Sequence, residues 1–291
     1  MLSYGSTPEA DPLCDDDLCV HYVTSGKNKV DLTDDDANGF PDYVDTTLAV
    51  LEHVHDTYID AGYREPKADG TKGGDARIDI YLGQLGNRSL YGYCTTDEPN
   101  TNANKNRFDR WSYCALDNDF SADEFGTANT PLENPEVTAA HEYFHATQAA
   151  YDYFEDLWLA EATATWVEDE MYDDVNDNLQ YLSRSQLTKP RTSLDTFEKN
   201  GTFHYGTWSF FRFLTERYPT KKGTLPKLVL DIWRVVDGAP GGDDNYSWQG
   251  VDRVLRAKGT TGAKIFNYHL VKSIGSFFIA FFLLSFIHNH T

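Results

Sequence analysis

The spacing of apolar residues changes period along the chain, and each period predicts an element. Over residues 43–62, Leu48, Leu51, Val54, His55 and Tyr58 recur at three- and four-residue steps, the stripe of a helix with one buried face. His53 and His55 read as residues lining that face. Residues 77–82 alternate instead, which predicts a strand with one side on the core, and residues 20–23, 91–94 and 111–116 read as further strands. A run free of Gly and Pro then starts at Pro135, a residue suited to the first turn of a helix. A polar turn at residues 152–156 leads into a second helix over residues 157–166. Residues 203–214 open an aromatic helix, and residues 225–236 and 248–258 predict two more around a Gly- and Pro-rich loop at 237–244. Residues 277–287 are apolar on every side. Taken from Ser273 as a helix they reach only about 22 Å, short of the roughly 30 Å hydrocarbon layer, so a buried terminus is expected before membrane contact.

The first long helix carries His141-Glu142-x-x-His145. Two histidines four positions apart project from one helical face and can hold a single ion. Neutral imidazoles leave the charge of a zinc ion undiminished, so it can acidify water and polarise a carbonyl. Glu142, beside them, suits the proton transfers of peptide hydrolysis. If the chain reverses about eight residues beyond His145, the return helix brings Glu161 level with it, because the two legs rise equally at about 1.5 Å per residue. Glu161 is therefore the expected third ligand. Glu155 and Asp156 fall near the turn, and the same reckoning puts Glu168 about 10 Å past the metal.

The two blocks, residues 141–148 and 158–166, resemble the gluzincin metallopeptidases, and more narrowly a family of secreted bacterial zinc metalloproteases. The resemblance runs from about Cys14 to about Gly259. It implies an α+β, zincin-like fold of two lobes: an α/β lobe over residues 1–153 with the active-site helix, and a mainly helical lobe over residues 154–291 with the third ligand. It implies a secreted endopeptidase with zinc on His141, His145 and Glu161 and with Glu142 as general base. Relatives place a Tyr, often just before a Gly, where its hydroxyl stabilises the oxyanion; Tyr205 matches, and His204 is the neighbouring candidate. An edge strand above the metal pairs with extended substrate in zincins, and residues 113–116 are the expected one. The chain departs from thermolysin-like members at Thr165, where they carry an Asp that buttresses a ligand His.

Residues 34–45 place oxygen-bearing side chains in the register of a calcium loop, as Asp34, Asp36, Asn38, Asp42 and Asp45, with Gly39 at the sharp turn and the Phe40 carbonyl between. A structural calcium ion is expected there, clamping the start of the next helix. Its alternative is an Asp-rich turn without metal. Asp117, Asp119 and Asp123 read as a solvated acidic loop.

The net charge of -21 repels phosphate backbones and argues against a nucleic-acid partner. It suits solubility, cation binding or basic peptide substrates. Cys14, Cys19, Cys94 and Cys114 allow three pairings. Proximity and the resemblance to secreted enzymes favour Cys14 with Cys19 and Cys94 with Cys114, and an oxidising compartment. Met1 to Ser6 carry no leader pattern, so a processed, truncated or recombinant start is expected. Two other readings stand beside the endopeptidase. An aminopeptidase would need an acidic group for the substrate's free amine, and no motif for one is evident. A calcium-stabilised binding module would carry an inactive site.

Overall fold

The computed structural model describes residues 2–99 and 108–271, so the apolar run at 277–287 and most of the Asn-rich stretch before Phe108 lie outside the described residues. The chain combines helix and sheet. Five strands form one sheet: β1 Leu13–Cys14, β2 Leu18–His21, β3 Ile78–Gly83, β4 Gly92–Thr95 and β5 Tyr113–Asp117. Their order is β1-β2-β3-β5-β4, with β2, β3 and β5 parallel and the two outer strands antiparallel to their neighbours.

Two sequence expectations change here. The alternation of residues 77–82 is real, but both faces of β3 are buried. Ile78, Ile80 and Leu82 join the main core, while Tyr81 packs with Tyr4, Trp111 and Tyr113 on the opposite side. The N-terminal segment covers that second face, with the Tyr4 hydroxyl against the carbonyls of His21 and Leu82. The polar alternate Asp79 is buried with it, bonded to His21. The second change concerns the sheet edge. Residues 113–116 lie in β5, hydrogen-bonded on both sides; among the described residues the free edge next to β5 belongs to β4.

Helix α1, Asp42–Asp60, and helix α3, Glu133–Asp152, pack together on the core face of the sheet, with Val54, Tyr58, Tyr143 and Phe144 between them. α2 is a single turn at Ala122–Phe125. α3 begins ahead of Pro135, where reciprocal bonds between Thr130 and Glu133 close the preceding turn in the manner of a capping box. Small residues at 139, 140, 146, 149 and 150 let α3 sit tight against its neighbours. After a four-residue turn, α4, Leu157–Met171, returns along α3.

The aromatic helix expected at 203–214 is split at Thr207 into α5, Phe203–Gly206, and α6, Trp208–Arg217. A short hairpin, β6 Lys221–Lys222 and β7 Leu225–Pro226, precedes α7, Lys227–Val235, and α8, Trp248–Ala257. One buried apolar cluster runs from Leu18 in the sheet through Trp158 and Trp166 to Ile265. Both disulfides are present, Cys14 with Cys19 and Cys94 with Cys114. Each joins residues directly facing one another in an antiparallel pair. Among the described residues no helix is long and apolar enough to cross a membrane.

Candidate metal centre

Helices α3 and α4 bring His141, His145 and Glu161 together, with one potential ligand atom from each lying within 4.8 Å of the others. Glu161 Oε2 is 3.2 Å from His141 Nε2 and 3.5 Å from His145 Nε2. A tetrahedral zinc ion at about 2.0–2.1 Å from its ligands spaces neighbouring ligand atoms by about 3.3 Å, so this donor set fits zinc in kind and in span.

The outer nitrogen of each imidazole is taken. His141 Nδ1 lies 2.5 Å from Glu168 Oε1, and His145 Nδ1 lies 2.8 Å from Gln148 Oε1. When the rings are neutral with Nδ1–H donating outward, their Nε2 lone pairs face the Glu161 carboxylate. Three converging lone pairs repel one another unless a positive charge sits among them. The electrostatics have the same sign. Burial alone would lower the pKa of His141, yet Glu161 and Glu168 raise it well above the usual value. Burial would raise Glu161, yet the two histidines hold it well below the carboxylate range. The trio can take up positive charge, as a proton on His141 or as a metal ion.

Glu168 was expected about 10 Å past the metal, and the structure corrects this. With Glu161 near the level of His145, the antiparallel return places Glu161 and Glu168 roughly one turn to either side of His141. Both carboxylates therefore reach that one imidazole. Glu168 is 6% exposed, and burial pushes its carboxyl up to about 7 against the pull of His141. The position of the absent buttress, Thr165, is buried and makes no bond to the centre. Gln148 also donates to the Ala160 carbonyl and the Thr163 hydroxyl, which ties the orientation of His145 to α4. Neither Glu168 nor Gln148 was singled out from sequence.

Glu142 is buried, and its Oε2 has no hydrogen-bond partner among the described residues. Burial raises its pKa, while His141 and His145 act to lower it. Strand β4 presses against it: a Cβ at Gly92 would lie 2.7 Å from Glu142 Cγ and 3.0 Å from the Ala115 carbonyl. Gly92 is thus required for this approach. The Cys94–Cys114 disulfide packs on the Glu142 carbonyl.

Two hollows flank the trio. One, of about 240 Å³, is bounded by His141, Glu142, Gly92, Glu168 and Tyr205; the other, of about 210 Å³, by His145, Glu161, Cys94 and Thr95. β4 borders both. The Tyr205 ring centroid is 6.0 Å from that of His141, and the ring stacks on Tyr181. Burial, then Glu161 and Glu142, push its pKa above the ordinary tyrosine range, so its hydroxyl keeps its proton. His204 lies beside it, its ring centroid 4.4 Å from that of Tyr205, with Glu161 and His141 among the charges acting on it. It is buried against Phe197, and its Nδ1 accepts from the Glu198 amide.

In the acidic loop, Asp34 and Asp36 approach Asp42, the first residue of α1. Asn38 turns its side-chain NH2 toward Asp36 and Asp45, the Phe40 amide donates to Asn38 Oδ1, and Gly39 takes a φ of +96°. Asp117, expected to be solvated, is buried instead. Its carboxylate accepts the backbone amides of Leu85, Gly86, Asp119 and Phe120 and so organises two loops. Asp119 and Glu124, not Asp123, are the acids gathered near it.

No family model matches the chain, and no curated protein matches it in sequence.

Proposed function

We propose that this chain is a secreted zinc endopeptidase of gluzincin type, with the metal held by His141, His145 and Glu161. The observation that carries this reading is the convergence of three lone pairs from α3 and α4 beside a buried, unpartnered carboxylate, in a cleft bordered by a free strand edge. Zinc, when bound, supplies Lewis acidity toward water and the peptide carbonyl. The protein's own groups do the rest. An extended peptide lies along β4 and bonds its free edge, as peptides do at exposed strands. Glu142 takes a proton from water and passes it to the leaving amine; burial raises its pKa, which makes it a better base and leaves it able to give the proton back. The Tyr205 hydroxyl donates to the carbonyl oxygen as negative charge develops there. Glu168 and Gln148 hold the two imidazoles in register. The two disulfides suit an oxidising environment, and secretion follows from them in this reading. The loop at residues 34–45 is the proposed calcium site, with a structural role at the start of α1.

The test is Glu142→Gln in the full chain. We expect one zinc per chain by elemental analysis in both proteins, an unchanged fold, and hydrolysis of casein reduced by several powers of ten in the variant. Turnover of the variant near that of the parent would remove Glu142 from its role. A parent protein that binds no zinc would remove the whole reading.

A further inference from the structure

The 210 Å³ hollow beyond His145 and Glu161 has a second feature that the hydrolytic centre does not use. Its wall also includes Asp152, Glu155, Ser112 and Trp233. Glu155 is 4% exposed. One of its oxygens accepts the backbone amides of Asp156 and Ser247, at 2.6 and 2.8 Å; the other has no hydrogen-bond partner among the described residues. Ser112, equally buried, also has an unpartnered hydroxyl in this wall.

Among the described residues no lysine or arginine lines the hollow. Arg110 acts on Asp152 from its place over the Phe154 ring, but the charges acting on Glu155 are the acids Asp152 and Asp156. Several buried acids elsewhere are matched, although Asp79 and Glu142 also keep one oxygen without a partner among the described residues. Asp169 has Arg212, Asp237 has Arg64, and Asp117 has four amides. A buried carboxylate oxygen left without a partner is costly, and a cationic N–H donor removes that cost.

We propose that this hollow is a subsite for a cationic group of the substrate, an ammonium or a guanidinium, which bonds the free oxygen of Glu155 with Asp152 and Ser112 beside it. The proposal rests on the reading of the neighbouring trio as a peptidase centre. The cation is either the side chain of a Lys or Arg residue within a peptide or the amine of a free N-terminus. Burial pushes the Glu155 carboxyl up to about 7, and a bound cation restores its charge.

The test is calorimetric titration of the zinc-loaded full chain with three small ligands: N-acetyl-arginine methylamide, N-acetyl-norleucine methylamide and norleucine methylamide with a free amine. We expect one of the two cationic ligands to bind at least tenfold tighter than the acetylated norleucine compound. Preference for acetylated arginine identifies a basic side chain, and preference for the free amine identifies an N-terminus. Equal binding of all three, or no binding, overturns the subsite. In Glu155→Gln the preference should collapse, with folding checked by circular dichroism; a preference that survives in the folded variant overturns the assignment to Glu155. If the variant does not fold, the parent's ranking of the three ligands decides. These titrations read the subsite whether or not any peptide is cleaved, and absence of casein hydrolysis bears only on the centre.

Discussion

His141 lies between two carboxylates on one return helix, Glu161 on its inner nitrogen and Glu168 on its outer one. A ligand histidine whose outer N–H is bonded is held in one tautomer and one orientation, and losing such a partner costs about 10- to 100-fold in metal affinity. Glu168→Gln keeps the shape and one acceptor oxygen but loses the charge. We expect its zinc affinity, measured by competition with a chelating dye, to fall within that range while the melting curve of the zinc-free protein is retained. Unchanged affinity would make Glu168 a packing residue. The comparison of sequence and structure is sharpest at this scale. His141, Glu142, His145 and Glu161 could be placed from helical spacing and one reversal of the chain. Glu168 could not, because its role depends on where the His141 ring lies between two turns of a neighbour, and an estimate made from the level of His145 put it out of reach. Glu155 falls near the turn, but its bonded oxygen is held by the amide of Ser247, far along the chain.

At the scale of elements, the cleft depends on β4, the strand that sequence reasoning did not choose as the edge. Alternation and length identify strands but not their order, which is a matter of long-range pairing. The deciding sequence signal was available in Gly92, whose lack of a side chain lets β4 touch Glu142, although a lone glycine in a strand has several explanations. The disulfides then act unequally. Cys94 and Cys114 are 20 residues apart and tie this edge to β5, whereas Cys14 and Cys19 are 5 apart at the opposite edge of the sheet. Chain entropy assigns about 3 kcal/mol to a closure of the first size and about 2 kcal/mol to the second. Urea unfolding of the two double Cys→Ala variants should show the Cys94/Cys114 pair to be the costlier by about 1 kcal/mol. The reverse order would mean that strain or residual structure, not loop length, governs both.

Over the whole molecule, 46 acidic side chains face 25 basic ones, and each proton lost on raising the pH adds to an already large negative charge. Folding makes this steeper. Burial pushes Asp69, with help from Asp79, up to about 6, and raises Asp152 to about 6 and Glu155 to about 7. His21 is 1% exposed between Glu9 on the N-terminal segment and Asp79 on β3. Burial would lower it, but the two carboxylates outweigh burial and carry it from 6.5 up to about 9. All four groups hold their protons to higher pH in the folded chain than in the unfolded one, so stability falls as pH rises through each window. The acids contribute between about pH 4 and 7, and His21 contributes stability that is full below 6.5 and lost as pH rises through 9. For His21 this amounts to about 3 kcal/mol. We therefore expect the unfolding free energy in urea to decline steadily from pH 5 to pH 9. His21→Gln should remove the His21 share of the decline above pH 6.5 and so flatten the slope, because Gln cannot carry the charge that binds the N-terminal segment to the sheet. A parent protein equally stable at pH 6.5 and 9, or a variant that keeps the parent's slope, would show that the Glu9–His21–Asp79 chain does not hold that face of the sheet closed.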